Sequence, residues 1–140
     1  MSDDNLYGIE MTRKDKNHFV ATNPAGASLE FGRGEGLLSP VELLLAAVAG
    51  CSAIDVDVVT SRRTEPTKFI VRASGEKIDE DGATRLAGVD LEFELAFPND
   101  EAGQDAAKMV ERLVQLSHDK HCTVSRTVEH QTPVNFTVLD

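Results

Sequence analysis

Residues Ser39 to about Thr60 constrain this chain more than any other stretch. They read Ser-Pro-Val-Glu-Leu-Leu-Leu-Ala-Ala-Val-Ala-Gly-Cys-Ser-Ala-Ile-Asp and onward, a helix with a strong start and apolar residues on every face. Ser39 suits the N-cap, Pro40 the first helical position, and Glu42 completes a capping-box pattern with Ser39. Beyond the far end, Arg62 and Arg63 suit the negative pole of the helix and Pro66 stops any continuation. A helix apolar all round belongs in an interior. About 30 Å long, it needs cover on every side, more than one sheet and one further helix can give. A second copy of the chain would close the gap, so a homodimer is expected.

The flanking segments say what packs around it. Leu6–Arg13, His18–Thr22 and Ala27–Phe31 read as a three-stranded antiparallel meander, turning at Lys14–Asn17 and Asn23–Gly26. Gly32-Arg33-Gly34-Glu35-Gly36 is a flexible loop without a phosphate-loop pattern. After the helix, Thr67–Ile78 and Thr84–Phe97 form a strand pair around the turn Asp79–Gly82. In the second of these, Val89, Leu91, Phe93, Leu95 and Phe97 alternate with Asp90, Glu92 and Glu94, the period of a half-buried strand. Glu101–Ser117 carries an apolar stripe of Ala106, Met109, Val110, Leu113, Val114 and Leu116, hence a second helix ended by His118–His121. Cys122 opens a possible helical turn over Thr123–Glu129, and Val134, Phe136 and Val138 alternate as a last strand. The order βββ-α-ββ-α-β predicts an α+β fold: a mainly antiparallel sheet around a long buried central helix, in one domain spanning residues 1–140.

Composition excludes several partners. A formal charge of −10 on 140 residues disfavours nucleic acid and anionic membrane surfaces. The longest strictly apolar run, Leu43–Ala49, is seven residues, against roughly twenty for a bilayer crossing. Met1–Asn5 has neither the basic nor the apolar region of a signal peptide, so a cytoplasmic location is expected.

The chain has two cysteines, Cys51 in the long helix and Cys122 after the second. They are too far apart for a Cys-x-x-Cys redox motif or a zinc knuckle. Two readings stand. Cys51 is a small buried hydrophobe and Cys122 incidental, or the pair is the minimum set for a peroxide-reducing cycle, one thiol oxidised and the other closing a disulfide with it. A rival places a metal at His118, His121 and Cys122, whose spacing is ligand-like.

The segment Ser39–Cys51, with its Pro-Val-Glu-Leu opening leading through alanines to a cysteine, resembles the OsmC/Ohr family. Cys122-Thr123-Val124-Ser125 resembles that family's second motif, Cys-Pro-x-Ser. The resemblance implies an OsmC-like intertwined homodimer wrapped around two central helices, acting as a thiol-dependent peroxidase on organic hydroperoxides or hydrogen peroxide in oxidative-stress defence. It implies that Cys51 is the peroxidatic residue and Cys122 the resolving one. The reductant is then an external dithiol or a lipoylated protein, with no bound cofactor. A relative without catalysis, binding an apolar small molecule at the dimer interface, is the alternative.

Cys51 needs help to ionise. It lies about 18 Å along the helix from the cap, beyond the reach of the N-terminal dipole, and burial raises a thiol's pKa. The family uses an arginine held by a glutamate. Arg33, before the helix, resembles the arginine of one branch; Arg13 lies nearer the place of the other branch's. The family's glutamate follows the proline directly, where this chain has Val41. Glu42 comes one residue later and falls on the face opposite Cys51, so its simplest role is the cap; Glu35, beside Arg33, is a second candidate partner for the arginine.

Overall fold

The computed structural model describes residues 5–139, which fall into two compact units divided between Leu44 and Leu45. In the first, β1 (Glu10–Asp15), β2 (His18–Thr22) and β3 (Ser28–Gly32) form an antiparallel sheet in sequence order. Phe19 pairs with Phe31 across β2 and β3 and their rings stack at 6.2 Å. Gly32 cannot be replaced here: a Cβ would lie 1.9 Å from the Asn17 carbonyl oxygen, and its φ is +153°. Lys14 and His18 both meet Glu30 Oε1, at 2.7 and 2.8 Å.

The helix α1 runs from Pro40 to Thr60. Its capping box forms: Ser39 N–H donates to Glu42 Oε1 at 2.9 Å, and Glu42 N–H donates to Ser39 Oγ at 3.2 Å. Burial is confined to Val48, Ser52, Val56 and Thr60, successive members of one i, i+4 row. Val41, Leu44, Ile54 and Val58 stay exposed, Ile54 to 64%. An apolar composition on all faces therefore meets cover on one face only, the mismatch that called for a second copy of the chain.

In the second unit the long strand pair is two ladders. β4 (Lys68–Ser74) pairs with β7 (Asp90–Ala96), and β5 (Lys77–Glu80) pairs with β6 (Ala83–Leu86) at the tip. The expected unbroken strands part at Gly75 and Gly88, which approach so closely that a Cβ on Gly75 would lie 2.6 Å from the Gly88 carbonyl oxygen. Asp81 and Gly82, both at positive φ, close the tip, as a two-residue hairpin turn requires. α2 (Glu101–Leu116) is capped by Asp100, which accepts from Gly103 N–H at 2.8 Å. A single π turn follows over Ser117–His121, and then α3 over Thr123–Glu129.

The architecture is α+β with antiparallel sheets, as expected from the order of elements. The last strand is a correction. Val134, Phe136 and Val138 alternate, but residues 131–139 form no strand, and these three side chains are 83–91% exposed. Alternation supplies the propensity for a strand; a strand also needs an edge to pair with, and none of the described ladders includes this segment.

Candidate active site

The second unit brings the two cysteines together. α1 presents Cys51 half-buried beside the buried Ser52. Cys122 arrives by a different device. The π turn after α2 closes with Cys122 N–H donating to the Ser117 carbonyl at 2.8 Å, one residue more than an α-turn spans. Such insertions redirect the chain and recur at functional sites. Here the redirection leaves Cys122 as the N-cap of α3, fully buried, its Sγ accepting from Ser125 N–H at 3.3 Å.

The first turn of a helix has N–H groups without backbone partners, and α3 turns that of Ser125 to the Cys122 sulfur. Both cysteines are free thiols, close enough that each shifts the other's ionisation, and Ser125 and Ser52 are near enough to bear on Cys122. Behind them, Ser117 Oγ donates to Asp55 Oδ2 at 2.6 Å and lies 3.5 Å from Ser52 Oγ. Among the described residues no buried side-chain nitrogen or oxygen is left without a partner.

This setting separates the two thiols electrically. Burial pushes Cys51 up, the neighbouring Cys122 sulfur pushes it further, and the Asp55 charge adds to both. Burial also opposes ionisation of Cys122, but the hydrogen bonds from Cys51, Ser125 and Ser52 outweigh it and bring this thiol below its ordinary value. Nearby, His118 bridges Asp119 at 2.9 Å and Glu129 at 3.1 Å. The hydrogen bond to Asp119, then the charge of Glu129, raises its pKa.

Arg13 is exposed on β1, opposite Phe19 in the ladder. Arg33 and Glu35 are exposed in the glycine loop, where Arg33 N–H donates to the Asn17 carbonyl at 2.8 Å. All three belong to the first unit, whereas the groups that shift Cys51 are Cys122, Val124 and Asp55, all in its own. The Glu42 carboxylate is held at the cap, where the Ser39 N–H and hydroxyl lower its pKa. Among the described residues no group of three or more His, Cys, Asp or Glu side chains is placed to hold a metal ion. His118 is turned to Asp119 and Glu129.

Ser52, Asp55 and Ser117 were not singled out in the sequence, whereas Ser125 stood there as the last residue of the Cys122–Ser125 motif. A signal was there for two of them. Ser52 and Asp55 are polar residues in an otherwise apolar run, and Asp55 follows Cys51 by one helical turn.

The chain belongs to the OsmC-like protein family, whose profile it matches over residues 32–137. It is 35% identical over 98 residues to protein YhfA of Escherichia coli, covering 69% of this chain and 68% of that one. Its fold is similar to that of a hypothetical protein from Aquifex aeolicus, with a TM-score of 0.72 and 22% identity over 91% of this chain and 90% of that one. It is also similar to the organic hydroperoxide resistance protein OhrB of Bacillus subtilis, with a TM-score of 0.57 and 15% identity over 90% and 92% of the two chains.

Proposed function

We propose that this protein is a thiol-dependent peroxidase that reduces organic hydroperoxides, hydrogen peroxide or both, in defence against oxidative stress. The observation that carries this reading is the meeting of Cys51 and Cys122, brought from distant parts of the sequence to within reach of each other. The fold shared with a protein described as conferring organic hydroperoxide resistance supports the substrate class. Cys51, the more exposed of the two, attacks the peroxide and becomes a sulfenic acid. Cys122 condenses with it, and a small dithiol or a lipoylated protein reduces the disulfide.

The working form in this reading is a homodimer in the cytoplasm, with the bare faces of α1 covered by the partner's copy. Length and apolar composition would also let α1 cross a membrane. Asp55 and Asp57 in its second half, and the bond from Ser117 to Asp55, favour a core helix. The test is consumption of cumene hydroperoxide with dithiothreitol as reductant, by the wild type and by Cys51→Ser. Turnover that stops in the variant supports the reading; equal rates sink it. A protein that only binds an apolar ligand would form no Cys51–Cys122 disulfide after one equivalent of peroxide.

A further inference from the structure

Resting on the peroxidase reading, we propose that Ser117 is a positioning residue for the disulfide step: it ties the turn that carries Cys122 to the helix that carries Cys51. Every polar group of Ser117 is committed, each to a different part of the site. Its N–H closes α2, donating to the Leu113 and Val114 carbonyls. Its hydroxyl crosses to α1 and donates to Asp55 Oδ2 at 2.6 Å, the short length of a hydroxyl on a carboxylate. Its carbonyl accepts from Cys122 N–H at 2.8 Å. Ser117 is only 1% exposed, so water does not compete for these groups. On α1, Asp55 lies one turn beyond Cys51. Ser52, adjacent to Cys51, has its Oγ 3.5 Å from that of Ser117. One residue thus joins the helix of Cys51 to the backbone of Cys122.

The tie also bears on the π turn. Regular winding would give the Ser117 carbonyl the N–H of His121; here it takes that of Cys122, one residue later, a rare geometry that needs support from outside the turn. The exposed side chains around the turn bond among α2, the turn and α3: Gln115 to Asp119, and His118 to Asp119 and Glu129. Among the described residues, the hydrogen bonds that reach from the turn to α1 are those of Ser117. Peroxide oxidises Cys51 without help from the turn. Closure needs both sulfurs in register: Cys122 attacks the Cys51 sulfenic sulfur, the S–S bond forms, the S–O bond breaks, and the hydroxyl leaves as water with the Cys122 proton. Ser117 therefore acts on the second step.

Single-turnover chemistry separates the steps. Reduced protein receives one equivalent of cumene hydroperoxide, dimedone traps the sulfenic acid at timed intervals, and peptide mass spectrometry follows adduct and disulfide. Ser117→Ala is expected to slow closure about tenfold more than it slows oxidation of Cys51, so that trapped sulfenic acid accumulates. Asp55→Ala cuts the same bond from the other end and has the same effect. The double variant closes no more slowly than either single one, because both remove one interaction. Asp55→Asn keeps an acceptor for the hydroxyl and closes at close to the wild-type rate. Should Ser117→Ala fold poorly, the contrast between Asp55→Ala and Asp55→Asn carries the test.

Equilibration with glutathione reads the same geometry without peroxide. The two thiols pass two electrons to oxidised glutathione, releasing two molecules of the reduced form. The equilibrium constant for the Cys51–Cys122 disulfide is expected to fall about tenfold in Ser117→Ala. Oxidation and closure slowed by one factor, the mark of a loosened fold, overturn the proposal and leave the peroxidase reading in place; so does closure as fast as in the wild type. Neither sulfenic acid nor disulfide from peroxide in the wild type removes the peroxidase reading. The glutathione constant then decides the tie: a fall in Ser117→Ala supports it, and an unchanged value overturns it too.

Discussion

Cys51 and Cys122 stand on opposite kinds of backbone. Cys51 sits in mid-helix, where backbone N–H groups are spent on carbonyls one turn back, and it is half-exposed. Cys122 sits at the N-cap of a short helix, where N–H groups are free, and it is fully buried. Burial alone would make Cys122 the harder thiol to ionise; the Ser125 N–H at its sulfur acts the other way.

The largest expected effect that sharpens this contrast is on turnover. Cys51→Ser is expected to slow cumene hydroperoxide consumption by about 10²-fold or more, the scale on which loss of a nucleophile is felt. Steady-state rates with excess dithiothreitol measure it. Next is Ser125→Ala, which removes a hydroxyl donor from Cys122 but leaves the N–H. It is expected to raise the lower thiol midpoint by about half to one pH unit, and an unchanged 240 nm titration would show that the backbone bond suffices.

Asp55→Asn acts on the other sulfur. Removing a negative charge that disfavours the Cys51 thiolate is expected to speed iodoacetamide labelling of Cys51 at pH 8 by roughly two- to threefold, read by peptide mass spectrometry. A slower reaction would break the electrostatic account. The smallest effect is expected at His118, which ties the π turn to α3 through Asp119 and Glu129. Its pKa is raised on folding, so its contribution is fully present below the unfolded value of about 6.5 and is lost as pH rises through the higher folded value. His118→Gln should lower the melting temperature by about 2–4 °C at pH 5.5 and by less above pH 8. Equal losses at both pH values would show that the charge is irrelevant.

Much of the frame was legible in the sequence because its signals are local. Ser39, Pro40 and Glu42 mark the start of α1 within one turn, and Cys122 opens α3 where its side chain can cap it. What escaped depends on partners distant in sequence or on phase. The break in the long hairpin follows from the approach of Gly75 to Gly88, which no alternation of side chains records. The alternation at Val134–Val138 marks strand propensity without naming an edge to join. Within the site, both cysteines stood out as rare residues. The Asp55–Ser117–Ser52 relay did not, because its buried members are ordinary polar residues whose meeting depends on how α1 and the π turn pack.

The π turn makes the whole site a question of chain length. Each residue advances an α-helix by about 100°, and the wider turn over Ser117–His121 holds one residue more than regular winding accommodates. Deleting a single residue there would let α2 run on in regular phase and swing the second sulfur about a quarter-turn away from the first. No side chain of the pair need change for the chemistry to vanish. A thiol pair built this way can be gained or lost through one codon of insertion or deletion, with the frame around it intact.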